Sequence, residues 1–93
     1  MLSDLRIHTN KMRAVLEALG LEMTFYSSIY TMETTLPNGT VICIRLRHDS
    51  EPQPYIQYYV LPRPEAPIDR HTYDHTSPTA LYDFITWLEQ VMA

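Results

Sequence analysis

The 93-residue chain holds one cysteine, two glycines and no long apolar run. A single thiol, Cys43, cannot close an internal disulfide and favours a reducing compartment. With so few glycines there is no Gly-rich loop to cradle phosphates, and no serine stands in a Gly-x-Ser-x-Gly elbow. No stretch approaches about 18 consecutive apolar residues, which excludes a membrane-spanning helix. The opening Met1-Leu2-Ser3-Asp4-Leu5-Arg6 has no basic leader ahead of an apolar run, so no secretory signal is expected and the setting reads as cytoplasmic. Positive charge is also short. Seven Lys and Arg stand against eleven Asp and Glu, a formal charge of −4, which argues against a protein held to nucleic acid chiefly by charge.

What is present is globular. The hydrophobic fraction is 45% and the charged fraction 19%, and a chain this long folds as one domain, residues 1–93. Ser3 is placed to cap a helix with Asp4 in its first turn. Leu5, Met12, Val15, Leu16 and Leu19 then share one stripe at helical spacing, with His8 at its margin. Gly20 suits the left-handed position that closes such a helix. Near the other end, Ser77-Pro78 reads as a cap followed by a first-turn proline. Ala80, Leu81, Phe84, Ile85, Trp87, Leu88, Val91 and Met92 form a wide apolar arc behind it, with Asp83, Thr86, Glu89 and Gln90 on the wet side.

The middle of the chain reads as sheet. Met23 to Leu36 is rich in β-branched and aromatic residues and is expected to form one strand. Leu36-Pro37-Asn38-Gly39-Thr40 is a hairpin signal, because proline presets the first turn angle and glycine supplies a positive φ. Val41–Arg47 and Tyr55–Leu61 follow as strands, with a polar turn at residues 48–54. Placing Leu36 opposite Thr40 pairs Thr34 with Ile42, Met32 with Ile44 and Tyr30 with Leu46. Arg47 opposite Tyr55 then adds Ile56, Tyr58 and Val60 to the same face. That face is apolar and must be covered. The other face carries Thr31, Glu33, Thr35, Cys43, Arg45, Arg47, Tyr55, Gln57 and Tyr59 and is expected to meet water. From Leu61 to Ser77 three prolines interrupt regular structure, with a short edge strand available around Ile68–Tyr73. The expected fold is therefore α+β, a two-layer α-β-β-β-α arrangement with both helices on one face of a three-stranded antiparallel sheet.

This element order resembles the double-stranded-RNA-binding domain, in which both helices also lie on one sheet face. The resemblance is one of topology and spans most of the chain. In that family a lysine cluster at the start of the second helix grips phosphates, and the β1–β2 loop carries a Gly-Pro-x-His element. Here the corresponding segments are Ser77-Pro78-Thr79-Ala80-Leu81-Tyr82-Asp83, without lysine, and Leu36-Pro37-Asn38-Gly39. The likeness therefore implies the fold and not the RNA contacts.

Candidate functional residues follow from chemistry. Seven tyrosines in 93 residues is a high share, and Tyr55 and Tyr59 fall on the open face beside Arg45, Arg47 and Gln57. Tyr and Arg combine large contact area with a polar handle and dominate binding hot spots. A second candidate is the polar run from Asp69 to Asp74 in an acidic C-terminal third, where two cations face five acids from residue 62 onward. His71 and His75 share this run, and either helical or extended spacing would let them meet, although a solvated loop is the ordinary reading. Cys43 has no base paired to it and carboxylates are scattered, so no catalytic group, metal or cofactor is expected. The composition points to a small non-enzymatic binding module or inhibitor whose partner is another protein. Phage and mobile-element accessory proteins, such as the anti-CRISPR inhibitors of host defence complexes, are of this general kind. The alternatives are nucleic-acid binding through the Tyr/Arg face, and a homodimer formed through that face or a free strand edge. No membrane partner is expected.

Overall fold

A computed structural model describes residues 2–26, 31–47 and 53–93, with side chains from residue 4 onward. Helix α1 spans Leu2–Ala18. Five strands follow: β1 at Thr24–Phe25, β2 at Thr31–Thr35, β3 at Val41–Arg47, β4 at Tyr55–Val60 and β5 at His71–Tyr73. A 3-10 turn, Pro67–Asp69, precedes β5, and helix α2 covers Ala80–Met92. The sheet is an antiparallel meander in the order β1-β2-β3-β4-β5. The α+β class and the helix-covered antiparallel sheet agree with the sequence; the strand number does not, because the sheet has five strands.

The two extra strands have different origins. The expected single strand from Met23 to Leu36 is instead a hairpin. β1 folds back on β2 with Thr24 opposite Glu33 and Phe25 opposite Met32. β5 is the short edge strand expected around Ile68–Tyr73, reduced to three residues because Pro67–Asp69 turn as a 3-10 helix. The central register matches the alternation argument. Thr34 faces Ile42, Met32 faces Ile44, Arg47 faces Tyr55, and Ile56 faces Leu46. The expected pairing of Tyr30 with Leu46, and most of the polar turn at residues 48–54, lie outside the described residues.

Local chemistry sets the element ends. Gly20 has φ +79° and closes α1 in a Schellman motif. The Leu21 N–H donates to the Leu16 carbonyl at 3.1 Å and the Gly20 N–H donates to that of Glu17 at 2.9 Å. Because the helix stops at Ala18, Leu19 leaves the apolar stripe and is exposed, contrary to its expected place on the stripe. α1 also begins at Leu2, one residue ahead of the expected cap at Ser3. α2 begins at Ala80, with Ser77 and Pro78 in the turn before it; the Ser77 hydroxyl still accepts the Thr79 N–H at 3.2 Å. In the hairpin between β2 and β3, Leu36 N–H donates to the Thr40 carbonyl at 2.7 Å and Gly39 takes φ +88°. Asn38 Nδ2 reaches the Val91 carbonyl at 2.9 Å, tying this turn to the far end of α2.

The core lies between the helices and one sheet face. Leu5, Met12 and Leu16 from α1 and Ala80, Phe84 and Leu88 from α2 meet Met32, Ile42, Ile44, Leu46, Ile56, Tyr58 and Tyr73. Full burial of each large apolar side chain contributes roughly 1.5–3 kcal/mol. Tyr58 is the aromatic centre. It meets Phe84 and Trp87 edge-on at 5.1 and 4.8 Å between ring centroids and stacks on His71 at 5.4 Å. No described helix is long and apolar enough to cross a membrane.

Candidate functional site

Antiparallel partners point to the same side of a sheet, so the register assigns the uncovered face row by row. Arg45, Gln57 and Thr72 form one cross-strand row. Arg47 and Tyr55 form the next toward one end, and Cys43 and Tyr59 toward the other. Arg70 extends the third row. Its backbone is extended, at φ −109° and ψ 101°, and it directly precedes His71, which sits opposite Tyr58 on the core side. Arg63 lies near Cys43 and Tyr59, close enough to pull both groups toward their charged forms.

The five expected sheet residues are thus on one face, but they do not all meet water. Arg45, Arg47 and Tyr55 are half-buried, while Gln57 is 7% exposed and Tyr59 only 3%. Cys43 is also 3% exposed. The expectation that this face is solvated throughout therefore fails in its centre. Cys43 and Tyr59 pair across β3 and β4, with Arg45 and Arg63 close to both. Tyr59 belongs to the floor of the site, whereas Tyr55 remains available as an aromatic contact. Burial pushes the Cys43 thiol above its usual range, against the opposing pull of the Tyr59 hydroxyl, so it stays protonated. Burial likewise raises the Tyr59 phenol.

Two features give this face its chemistry. First, charge is segregated. Arg45, Arg47, Arg63 and Arg70 are four of the seven cations in a chain of net charge −4. No carboxylate pairs with any of the four among the described residues; the ion pair seen there is Arg13 with Glu17 on α1. Among the strand residues the sole acid is Glu33, and its Oε1 is engaged by the Tyr26 hydroxyl at 3.0 Å. Second, hydrogen bonding is incomplete. Arg47 Nε, Gln57 Oε1 and Arg70 Nε are all buried with no partner among the described residues. Buried polar atoms are normally satisfied, so three orphans on one face are unusual.

The second expected candidate is taken apart by the fold. Asp69 ends the 3-10 turn beside the surface formed by Trp87 and His71. Asp74 lies beyond β5 and is spent on local structure. Its Oδ1 accepts from the Thr76 N–H and hydroxyl, which hold its carboxyl below the ordinary range. His71 and His75 also part company. His71 stacks on Tyr58 and meets Trp87 at a tilt, while the His75 ring sits 6.0 Å from that of His8. Among the described residues no group of three or more His, Cys, Asp or Glu is arranged to hold a metal ion. His8 occupies the core margin on α1, its Nδ1 3.2 Å from the Tyr73 hydroxyl.

Arg63 and Arg70 were missed in the sequence because they sit in a segment that reads as acidic overall. The signal that finds Arg70 is the alternation His71-in, Thr72-out, Tyr73-in, carried one residue upstream. Comparison with protein-family models, with curated proteins and with solved structures finds no match to this chain.

Proposed function

We propose that this chain is a small non-enzymatic binding module, cytoplasmic in setting, that docks another protein on the open sheet face. The observation that carries the reading is the coincidence, on one sheet face, of four arginines without an ion pair and three buried polar atoms without a partner among the described residues, beside a half-exposed Tyr55. A surface that serves only to be wet gains nothing from buried donors and acceptors left unmatched, whereas a docking surface completes them when the partner arrives. Arg and Tyr together supply contact area, fixed geometry and polar ends, which is the composition of interface hot spots. Small size without a catalytic motif is also the profile of accessory inhibitors carried by phages and mobile elements, anti-CRISPR proteins among them. That is the biological setting we attach to the proposal.

The test is affinity capture from host lysate with nuclease treatment, followed by single substitutions. A nuclease-resistant partner should be retained by the native chain. Arg47→Ala and Tyr55→Ala should each weaken it by more than about 1 kcal/mol, roughly fivefold or more, if they are hot spots. Asp69→Ala should leave it unchanged. Equal binding by all three variants, each with native far-UV circular dichroism, would remove this face from consideration.

A further inference from the structure

Taking the open face as the docking surface, the geometry points to the chemistry of what it receives: we infer that the partner presents an acidic peptide segment, rich in Asp or Glu. The inference rests on the proposed docking role and adds the ligand class. Three observations argue for it. The face carries Arg45, Arg47, Arg63 and Arg70 without an ion-pair partner among the described residues, and Glu33, the one acid on a strand, is engaged by the Tyr26 hydroxyl. A guanidinium matches a carboxylate through two parallel hydrogen bonds, a stronger and more oriented contact than a neutral one. Arg47 and Arg70 each keep a buried Nε–H without a partner among the described residues.

The third observation separates a peptide from a phosphate backbone. Gln57 is more than nine-tenths buried at the middle of the face, and its unmatched atom is Oε1, an acceptor. A site built only for phosphates needs donors throughout, because a phosphate has no N–H to offer. A peptide brings a backbone N–H at every residue but proline together with the side-chain carboxylates, so one extended segment can satisfy Gln57 Oε1 and the flanking arginines at once. The whole chain carries −4, which opposes any anionic ligand at long range, so the attraction must come from the local arginine patch.

The experiment is fluorescence anisotropy with three labelled probes at about 50 mM and about 150 mM salt. One is an alternating Glu-Gly peptide of about ten residues, the second the matching Gln-Gly peptide, and the third a mixed-sequence single-stranded DNA of equal net charge. The Glu-Gly peptide is expected to bind at least about tenfold more tightly than both of the others. Arg45→Gln with Arg47→Gln, and separately Arg70→Gln, are expected to weaken it about fivefold to tenfold, with the fold checked by circular dichroism. Gln57→Leu is expected to weaken it while leaving the salt dependence unchanged, since no charge is removed. Equal binding of the Glu-Gly and Gln-Gly peptides, or tighter binding of the DNA, overturns the inference. If the acidic peptide fails while a captured protein still depends on Tyr55 and Arg47, the docking reading stands and the ligand class is wrong. If neither depends on these residues, both fall.

Discussion

Replacing Gln57 with methionine should make the free protein more stable while weakening its binding. Among the described residues Gln57 Oε1 is a buried acceptor without a partner, and leaving such a group unmatched costs about 1–3 kcal/mol. Methionine has nearly the same length and volume, fills the space flexibly and brings no strong acceptor, so steric terms stay small. The expected gain is about 1–2 kcal/mol. Unfolding entropy of roughly 2.1 cal/mol/K per residue gives about 0.2 kcal/mol/K for a chain of this size. Tm should therefore rise by about 5–10 °C, read by differential scanning calorimetry and by urea unfolding at constant m. The exposed Gln53→Met is the control and should move stability by less than about 0.5 kcal/mol. A Tm for Gln57→Met at or below that of the control would refute the reasoning, because it would mean that the carboxamide is satisfied in the free protein. Stability traded for binding is the signature of a residue kept for a partner.

Phe84 is fully buried against Tyr58 and Trp87, so Phe84→Ala should cost about 3–5 kcal/mol, a large part of the total for a small domain, and urea unfolding would show the midpoint collapse. Gly20 holds φ +79° in open space, so Gly20→Ala meets no steric clash but should still lose about 1–2 kcal/mol to left-handed backbone strain in the same assay. His8 is held below its usual value first by burial, then by Lys11 and His75. Its neutral form is the one the fold favours, so its contribution is complete above the unfolded value of about 6.5 and declines as pH falls through that value toward the folded one. Unfolding at pH 7.5 and 5.5 should show this slope, and His8→Gln should flatten it.

Much of the sheet was legible because two independent signals agreed. The Pro37-Asn38-Gly39 turn set a hairpin, and alternation from Val41 to Arg47 allowed one register that kept Ile42, Ile44 and Leu46 on one side. The Schellman glycine and the apolar arc of α2 were readable for similar local reasons. The split of Met23–Leu36 into two strands was not, because β1 and β2 have the same β-forming composition and no glycine or proline lies between them. The site was half legible. Alternation put Arg45, Arg47, Tyr55, Gln57 and Tyr59 on one face, but alternation assigns a side and not an exposure. The contribution of Arg63 and Arg70 arises from where the proline-interrupted connection returns. No local pattern encodes that path.

The meander order has a consequence for how the chain acquires its shape. Every strand pairs with the next in sequence, so the sheet can zip one hairpin at a time with short loop closures. The helices differ. α1 packs on β3, β4 and α2, and its His8 reaches Tyr73 across 65 positions of chain. α1 precedes the sheet in the chain, yet the seat it needs is incomplete until Phe84 and Leu88 have been made. The strand pairings need only neighbouring segments, whereas locking α1 needs the chain through α2.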